Sequence, residues 1–197
     1  MKGLRLEELF FRNIGPVNLS IAPGECVGLS GPSGIGKTLF LRAIADMDPH
    51  FGKLFLNDTE SGEMPAHQWR KKVGLLPAES QWWADSVGGH FEGTKKEWFA
   101  ALGFEMDVLT WRISRLSSGE RQRLALLRLL HNYPGVLLLD EPTTNLDPES
   151  IEQSENLMIK YKNENNAPVI WVSHDTDQLN RVALRSFVMN NHNIIEK

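Results

Sequence analysis

The sequence predicts an α/β fold with a mainly parallel central sheet, and three observations support this prediction. Residues 136–139 are apolar at every position, and residues 169–172 follow a similar pattern. Such uninterrupted apolar runs are typical of central parallel strands that are covered on both faces. Strand-like and helix-like segments alternate through the second half of the chain, as they do in α/β domains. A glycine-rich turn at 31–38 follows a predicted strand and leads into a predicted helix.

The order of the predicted elements indicates one domain with an insertion. The apolar residues of 37–45 recur at helical spacing, whereas the aromatic-rich stretch 81–115 is broken by glycines and predicts only short helices. We therefore predict a single domain over 1–197, with a core of 1–77 and 116–197 and a small helical insert at 78–115. The predicted strands are 4–11, 17–21, 25–30, 53–57, 73–76, 136–139, 169–172 and 186–189, and the predicted core helices are 37–45, 65–72, 119–130, 149–161 and 175–181.

Length and composition exclude several classes of protein. A chain of 197 residues with 41% hydrophobic and 23% charged residues is large enough for one medium domain. Its net charge of -4 argues against a general nucleic-acid binder, which would carry a basic stripe. The single cysteine, Cys26, is predicted to be buried in a strand and fits a reducing cytoplasm. No signal peptide is predicted, and no apolar stretch approaches the ~18 residues of a membrane span. We therefore expect a separate partner to supply any membrane-spanning segments.

The turn at 31–38 matches the phosphate-loop pattern G-x-x-x-x-G-K-[ST]. Backbone N–H groups of such a loop, and of the helix that follows it, point at phosphate oxygens. Gly34 and Gly36 let the backbone approach the anion with no Cβ in the way. Lys37 is predicted to place its charge on the outer phosphates, and Thr38 to offer its hydroxyl to Mg²⁺. The predicted nucleotide-binding residues of this segment are Gly31, Pro32, Ser33, Gly34, Ile35, Gly36, Lys37, Thr38 and Leu39.

Two carboxylates follow the apolar strand 136–139. Ligands of open α/β sheets bind at the carboxyl ends of the strands, which is where Asp140 and Glu141 lie. We predict that Asp140 holds Mg²⁺, and that Glu141 acts as the general base on the attacking water. An acidic pair after a strand is often only a solvated loop, and the phosphate loop upstream is what favours the catalytic interpretation.

A histidine follows a third apolar strand. His174 comes two residues after the run 169–172, so it is expected at the same edge of the sheet as the carboxylates. We predict that it reaches the outermost phosphate and senses its loss, as the second catalytic residue beside Glu141. A lone histidine is more often a surface or capping residue, and the position at a strand end favours the functional interpretation.

The segment 116–122 precedes a strongly amphipathic helix. Ser117 and Glu120 fit the S-x-x-E capping box, so one interpretation is simply a well-capped helix. The other is a second anion site, formed by Ser117, Ser118 and Gly119 at the helix N-terminus. One domain does not need two such sites for one nucleotide. Two copies packed head-to-tail would use both, with each nucleotide sandwiched between two chains.

Taken together, five segments resemble the ATP-binding cassette (ABC) family in kind and in order. They are GPSGIGKT at Gly31, LSSGE at Leu116, VLLLDE at Val136, TNLD at Thr144 and VSHD at Val172. The resemblance covers nearly the whole chain. It implies a phosphate-loop ATPase fold with an antiparallel N-terminal β subdomain, and ATP and Mg²⁺ as ligands. By position, 116–120 would be the signature segment, 144–147 the D-loop that crosses the dimer interface, and His174 the switch histidine.

The chain departs from the family pattern at three places. The glutamine of the family's glutamine loop would fall at Ala78, whose methyl group cannot contact Mg²⁺; Gln81 or Glu79 would have to substitute. Asn13 stands where the family usually has the aromatic residue that stacks on adenine. Phe11 is therefore the candidate for stacking, with a core position as the alternative. The signature segment reads LSSGE and not the commoner LSGGQ.

The resemblance implies the ATP-hydrolysing subunit of an ABC transporter. Such a chain would form a head-to-tail homodimer on ATP and drive separate integral membrane permease subunits, at the cytoplasmic face of the cell membrane. The alternative is a soluble ABC ATPase of DNA repair or translation, which the lack of a long coiled coil and of a second cassette disfavours. No nucleic-acid partner is predicted. A generic phosphate-loop switch or kinase would lack the signature segment, and Glu141 argues against a chain that grips ATP without turnover.

Four of the six tryptophans lie in the predicted insert. Trp82 and Trp83 directly follow the loop that couples, in this family, to the membrane partner. We expect at least one of the two to be exposed and to dock a coupling helix of that partner. The alternative is that all of them fill the core of the insert.

Overall fold

The computed structural model describes residues 2–93, 95–191 and 193–197. Met1, Thr94 and His192 fall within the predicted domain, Thr94 within its insert, and lie outside the described residues. The strands are β1 Leu4–Phe11, β2 Ile14–Ile21, β3 Cys26–Ser30, β4 Phe51–Leu56, β5 Thr59–Glu60, β6 Val73–Leu76, β7 Val136–Asp140, β8 Val169–Val172, β9 Arg185–Met189 and β10 Ile194–Glu196. The α-helices are α1 Lys37–Ile44, α2 Ala66–Lys72, α3 Lys96–Ala101, α4 Ser118–His131, α5 Pro148–Asn165 and α6 Thr176–Val182.

The strands form two sheets. One is four-stranded and antiparallel, in the order β2-β1-β4-β5. The other is six-stranded, in the order β10-β9-β3-β8-β7-β6, and only β10 pairs antiparallel in it. The predicted mainly parallel sheet is therefore confirmed, and so is the antiparallel β subdomain that the family resemblance implied.

The central strands β7 and β8 separate two apolar interiors. Successive side chains of a strand point to opposite faces, so Leu137 and Leu139 join the interior under α4 and α5. Val136 and Leu138 join the interior beneath α1 and the antiparallel sheet. All four side chains are buried, which is why this stretch is apolar without alternation.

The described residues of 78–115 form one short α-helix, α3, and several single turns of 3-10 helix, as the glycine-interrupted pattern predicts. Phe99, Leu102 and Val108 of this region are buried in the same interior as the apolar residues of α4 and β7. The limits 78 and 115 of the insert stay a prediction. The 3-10 turns are Val87–His90, Met106–Thr110 and Ile113–Arg115.

Several element bounds differ from the sequence prediction. Strand β2 begins at Ile14, three residues before the predicted start at 17. The strand can include Pro16 because β2 is an edge strand, where the missing N–H donor of proline is tolerated. The short strands β5 and β10 carry no apolar pattern strong enough to predict them. Within the described ranges, no helix combines the length and apolarity needed to cross a bilayer.

Candidate active site

The phosphate-loop segment lies between the end of β3 and the start of α1. Gly31, Gly34 and Gly36 all have positive φ, at 149°, 75° and 114°. A Cβ on Gly31 would lie 2.7 Å from the carbonyl oxygen of Met189, so no larger residue fits there. The N-cap residue Gly36 makes no side-chain capping bond, which leaves the first N–H groups of α1 available to an anion.

Lys37 is buried inside this loop. Its Nζ donates hydrogen bonds to the carbonyl oxygens of Gly31 at 2.9 Å and Pro32 at 3.1 Å. Burial lowers the pKa of Lys37, and the nearby carboxylates of Glu141 and Asp140 oppose that shift. The ammonium group therefore lies among the backbone atoms that would surround a phosphate. The side chains of Ile35 and Leu39 pack against the apolar interior.

Thr38 and Asp140 meet across the gap between α1 and β7. The Thr38 Oγ1 donates a 2.6 Å hydrogen bond to Oδ2 of Asp140, the buried last residue of the strand. A hydroxyl beside a carboxylate is a hard-oxygen donor set of the kind that Mg²⁺ prefers. The two predicted metal ligands are therefore adjacent, and they fit Mg²⁺ by their chemistry.

Glu141 and His174 face each other at the ends of β7 and β8. The His174 Nε2 lies 3.5 Å from Oε1 of Glu141 and 3.4 Å from Nζ of Lys37. Glu141 has a left-handed backbone, with φ of 50°, and its N–H donates to the carbonyl oxygen of Val172 at 3.1 Å. Burial raises the pKa of Glu141, while His174 and Lys37 oppose that shift. A carboxylate with a raised pKa is a stronger base than an exposed one.

The predicted signature segment lies at the N-terminus of α4. The Ser117 Oγ accepts from the Glu120 N–H at 3.2 Å, and the Glu120 carboxylate accepts from the Ser117 N–H at 2.8 Å and from its Oγ at 2.9 Å. The capping box is thus present. Ser117 and Ser118 are exposed, so a second molecule can reach them. Among the described residues, no hydrogen bond joins Ser117, Ser118 or Gly119 to the phosphate loop of the same chain.

The base-stacking candidate is placed in the interior. Phe11 is buried, with its ring centroid 5.5 Å from that of Phe40, which corresponds to the core alternative. The next two residues, Arg12 and Asn13, form an exposed turn between β1 and β2.

The position of the family's glutamine and its two candidate substitutes lie beside α4. Ala78, Glu79 and Gln81 line an open cleft of about 710 Å³ between this loop and α4. Ser118 and Asn145 of the predicted signature and D-loop segments line it as well. The two candidate substitutes, Glu79 and Gln81, thus line the same cleft as residues of α4.

Sequence reasoning missed Gln122. This residue lies on the buried face of α4, and its Nε2 donates to the carbonyl oxygens of Glu141 at 3.4 Å and Pro142 at 3.0 Å. It therefore connects α4 to the loop that carries Glu141. The available signal was a polar side chain among the leucines of an amphipathic helix, a position where a buried amide needs partners.

The fold and the site together define a phosphate-loop nucleotide-binding protein. The family model described as "ABC transporter" matches residues 14–144. The chain belongs to the ABC transporter family, and it is an ATP-binding cassette of that family.

Individual relatives agree with this assignment. The chain is 36% identical over 180 residues to "ABC transporter I family member 17" of Arabidopsis thaliana, a match that covers 85% of this chain and 68% of the relative. It is 29% identical over 177 residues to the "Probable iron export ATP-binding protein FetA" of Escherichia coli (strain K12), covering 83% and 79%. A dimeric ATP-binding cassette in a post-hydrolysis state bound to ADP and Pi shares the fold, with a TM-score of 0.83, 22% identity and coverage of 98% and 97%.

Proposed function

We propose that this cassette hydrolyses ATP to ADP and phosphate with Mg²⁺ bound, as a head-to-tail homodimer that drives separate membrane permease subunits. It would lie in the cytoplasm, at the inner face of the cell membrane. The observation that carries the proposal is the meeting of three strand ends. They bring Lys37, His174 and Glu141 into successive contacts of 3.5 Å or less. The neighbouring residues Thr38 and Asp140 form a second contact at 2.6 Å.

Each side chain has a distinct part in this reaction. The N–H groups of the phosphate loop and the Lys37 ammonium hold the outer phosphates of ATP. Thr38 and Asp140 would hold Mg²⁺, which when bound neutralises charge on the phosphate oxygens. Glu141 orients the attacking water and accepts its proton. His174 touches both Lys37 and Glu141, so it holds the base in position beside the cation that marks the outermost phosphate.

The dependence of ATP turnover on protein concentration tests this proposal directly. With Mg²⁺ present, phosphate release per chain should rise with chain concentration and then level off, because two chains complete each site. Chelation of Mg²⁺ should stop the release. Turnover per chain that is independent of concentration in a monomeric sample would contradict the shared site.

We expect Ser117→Asp to lower ATP turnover at least tenfold at a fixed chain concentration. Aspartate can still accept the Glu120 N–H bond that caps α4, although it loses the hydroxyl bond to the Glu120 carboxylate. Its charge repels the phosphate of a nucleotide bound to the opposite chain. The affinity of the isolated chain for ATP should stay within about twofold of the parent. Turnover and equilibrium binding are measured on the same preparation.

The matched control is Ser117→Asn, which caps the helix without adding charge. Its turnover should lie between those of the parent and Ser117→Asp. Equal losses in the two variants would show that charge repulsion is not the cause, and would contradict a phosphate contact at Ser117.

The membrane partner is expected to dock beside Trp83. This side chain is 74% exposed, and the Arg128 guanidinium lies 4.8 Å from its ring centroid. The cleft next to it, about 440 Å³ in volume, is also lined by His67, Arg70 and Lys71. An exposed aromatic residue inside a basic rim favours an acidic helix as the docking segment.

We expect Trp83→Ala to reduce the amount of integral membrane subunit that co-purifies with the chain from detergent-solubilised native membranes. ATP affinity and thermal stability should not change, because the side chain is mostly in solvent. Phe51→Ala is the matched control, since Phe51 is 79% exposed on strand β4 of the antiparallel sheet. Losses of stability in Trp82→Ala and Trp83→Ala with unchanged partner recovery would rule out docking here.

A further inference from the structure

A buried polar network lies behind the catalytic edge of the sheet, and Gln178 is its centre. Gln178 belongs to α6, the helix that follows His174, and is only 2% exposed. Its Nε2 donates hydrogen bonds to Thr143 Oγ1 at 2.8 Å and to Glu155 Oε1 at 2.9 Å. Its Oε1 accepts from Trp171 Nε1 at 3.2 Å. Both ends of the amide are therefore engaged in the protein interior.

The partners of this amide come from three different elements. Thr143 belongs to the loop that starts with Glu141 after β7, and its carbonyl oxygen accepts from the Leu146 N–H at 3.2 Å. Trp171 belongs to β8, the strand that leads to His174. Glu155 lies in α5, where Arg181 also pairs with it at 2.9 Å.

The network thus spans the two loops that carry the candidate catalytic pair. Glu141 lies two residues before Thr143, and His174 lies four residues before Gln178. Buried polar groups need their partners, and a fully satisfied network selects one arrangement of the elements that supply it. The amide of Gln178 therefore opposes any separation of the loop after β7 from the helix after β8.

We propose that Gln178 is a positioning residue for ATP hydrolysis, whose bonds to Thr143 and Trp171 hold the Glu141 loop and the His174 loop in register. This inference rests on the proposed function. It adds Gln178, which touches neither the nucleotide nor the attacking water and acts by positioning Glu141 and His174.

The test is a comparison of Gln178→Leu with Arg181→Gln. The leucine variant removes all the amide contacts, whereas the second variant removes the ion pair to Glu155 and leaves the contact to Thr143 intact. Because misplacement by about 1 Å can cost on the order of 100-fold in rate, we expect Gln178→Leu to lower kcat tenfold or more. The KM for ATP and the equilibrium ATP affinity should change less than twofold. Arg181→Gln should keep kcat within twofold of the parent.

A second pair of variants separates positioning from loss of folding. Thr143→Ser keeps the hydroxyl and should keep kcat, whereas Thr143→Val is nearly isosteric but lacks the hydroxyl and should match Gln178→Leu. The double variant Gln178→Leu/Thr143→Val should be no slower than either single variant. All three variants lose the same hydrogen bond, the one between Gln178 and Thr143. All rates are measured well below the Tm of each variant.

Parent-like kcat in Gln178→Leu would overturn the proposal. Equal losses of kcat in Gln178→Leu and Arg181→Gln would overturn it too, since they would report a general loss of stability. Absence of Mg²⁺-dependent turnover in the parent chain, measured in the same series, would instead remove the proposed function and this inference with it.

Discussion

Replacement of Lys37 by alanine is expected to weaken ATP binding by about 100-fold. The ammonium group lies within the phosphate loop, and hydrogen bonds to charged groups contribute up to about 3 kcal/mol each. A difference of that size corresponds to about 100-fold in the dissociation constant. Isothermal titration of the purified chain with ATP and Mg²⁺ measures this change.

Lys96→Ala is the matched control for this variant, because it removes the same charge from an exposed position on α3. Its ATP affinity should equal that of the parent. The circular dichroism of both variants should also match the parent, since neither residue contributes to an apolar interior. Unchanged ATP affinity in Lys37→Ala would refute the assignment of the phosphate loop.

Replacement of Glu141 by glutamine is expected to lower kcat by a factor of about 100 to 10,000, the range that general bases contribute. Glutamine keeps the shape of the side chain but cannot accept a proton from water. ATP binding should survive, because Glu141 lies outside the phosphate loop. The variant should therefore accumulate as a dimer held by uncleaved ATP, which size-exclusion chromatography with and without ATP detects.

The control is Glu152→Gln, which neutralises an exposed carboxylate on α5. It should turn over ATP at the rate of the parent and show no ATP-held dimer. Normal turnover in Glu141→Gln would take the role of base away from Glu141. Lost turnover without a dimer would keep that role and argue against the sandwiched nucleotide.

The sequence predicted best those features that are encoded by neighbouring residues. Strands β6 and β8 have the predicted bounds, because short apolar runs between polar segments leave little choice of register. The phosphate loop and the Asp140–Glu141 pair were equally easy to predict, because each is a continuous segment that follows a strand. Strands β3, β8 and β7 are parallel neighbours, so their carboxyl ends meet at one edge of the sheet. This arrangement brings together Lys37, Asp140 and His174.

Features that depend on distant contacts were not predictable from one sequence. The position of Phe11 depends on the packing of its ring against Phe40, 29 positions away, and the local pattern suits either outcome. Gln178 reads as an ordinary polar residue of a short helix. Its importance appears only with Thr143, from which it is separated by 35 positions. Polar contacts of this kind carry no periodicity from which they could be inferred.

The alternation of β7 and β8 between two interiors has a consequence for how the chain responds to stress. The apolar residues of these strands belong alternately to one hydrophobic core and to the other. Neither core can therefore unfold while the other remains folded. Denaturation should accordingly be cooperative. A nucleotide bound at the strand ends should therefore stabilise the remote antiparallel sheet against unfolding. That stabilisation should be as large as that of the residues that contact the nucleotide.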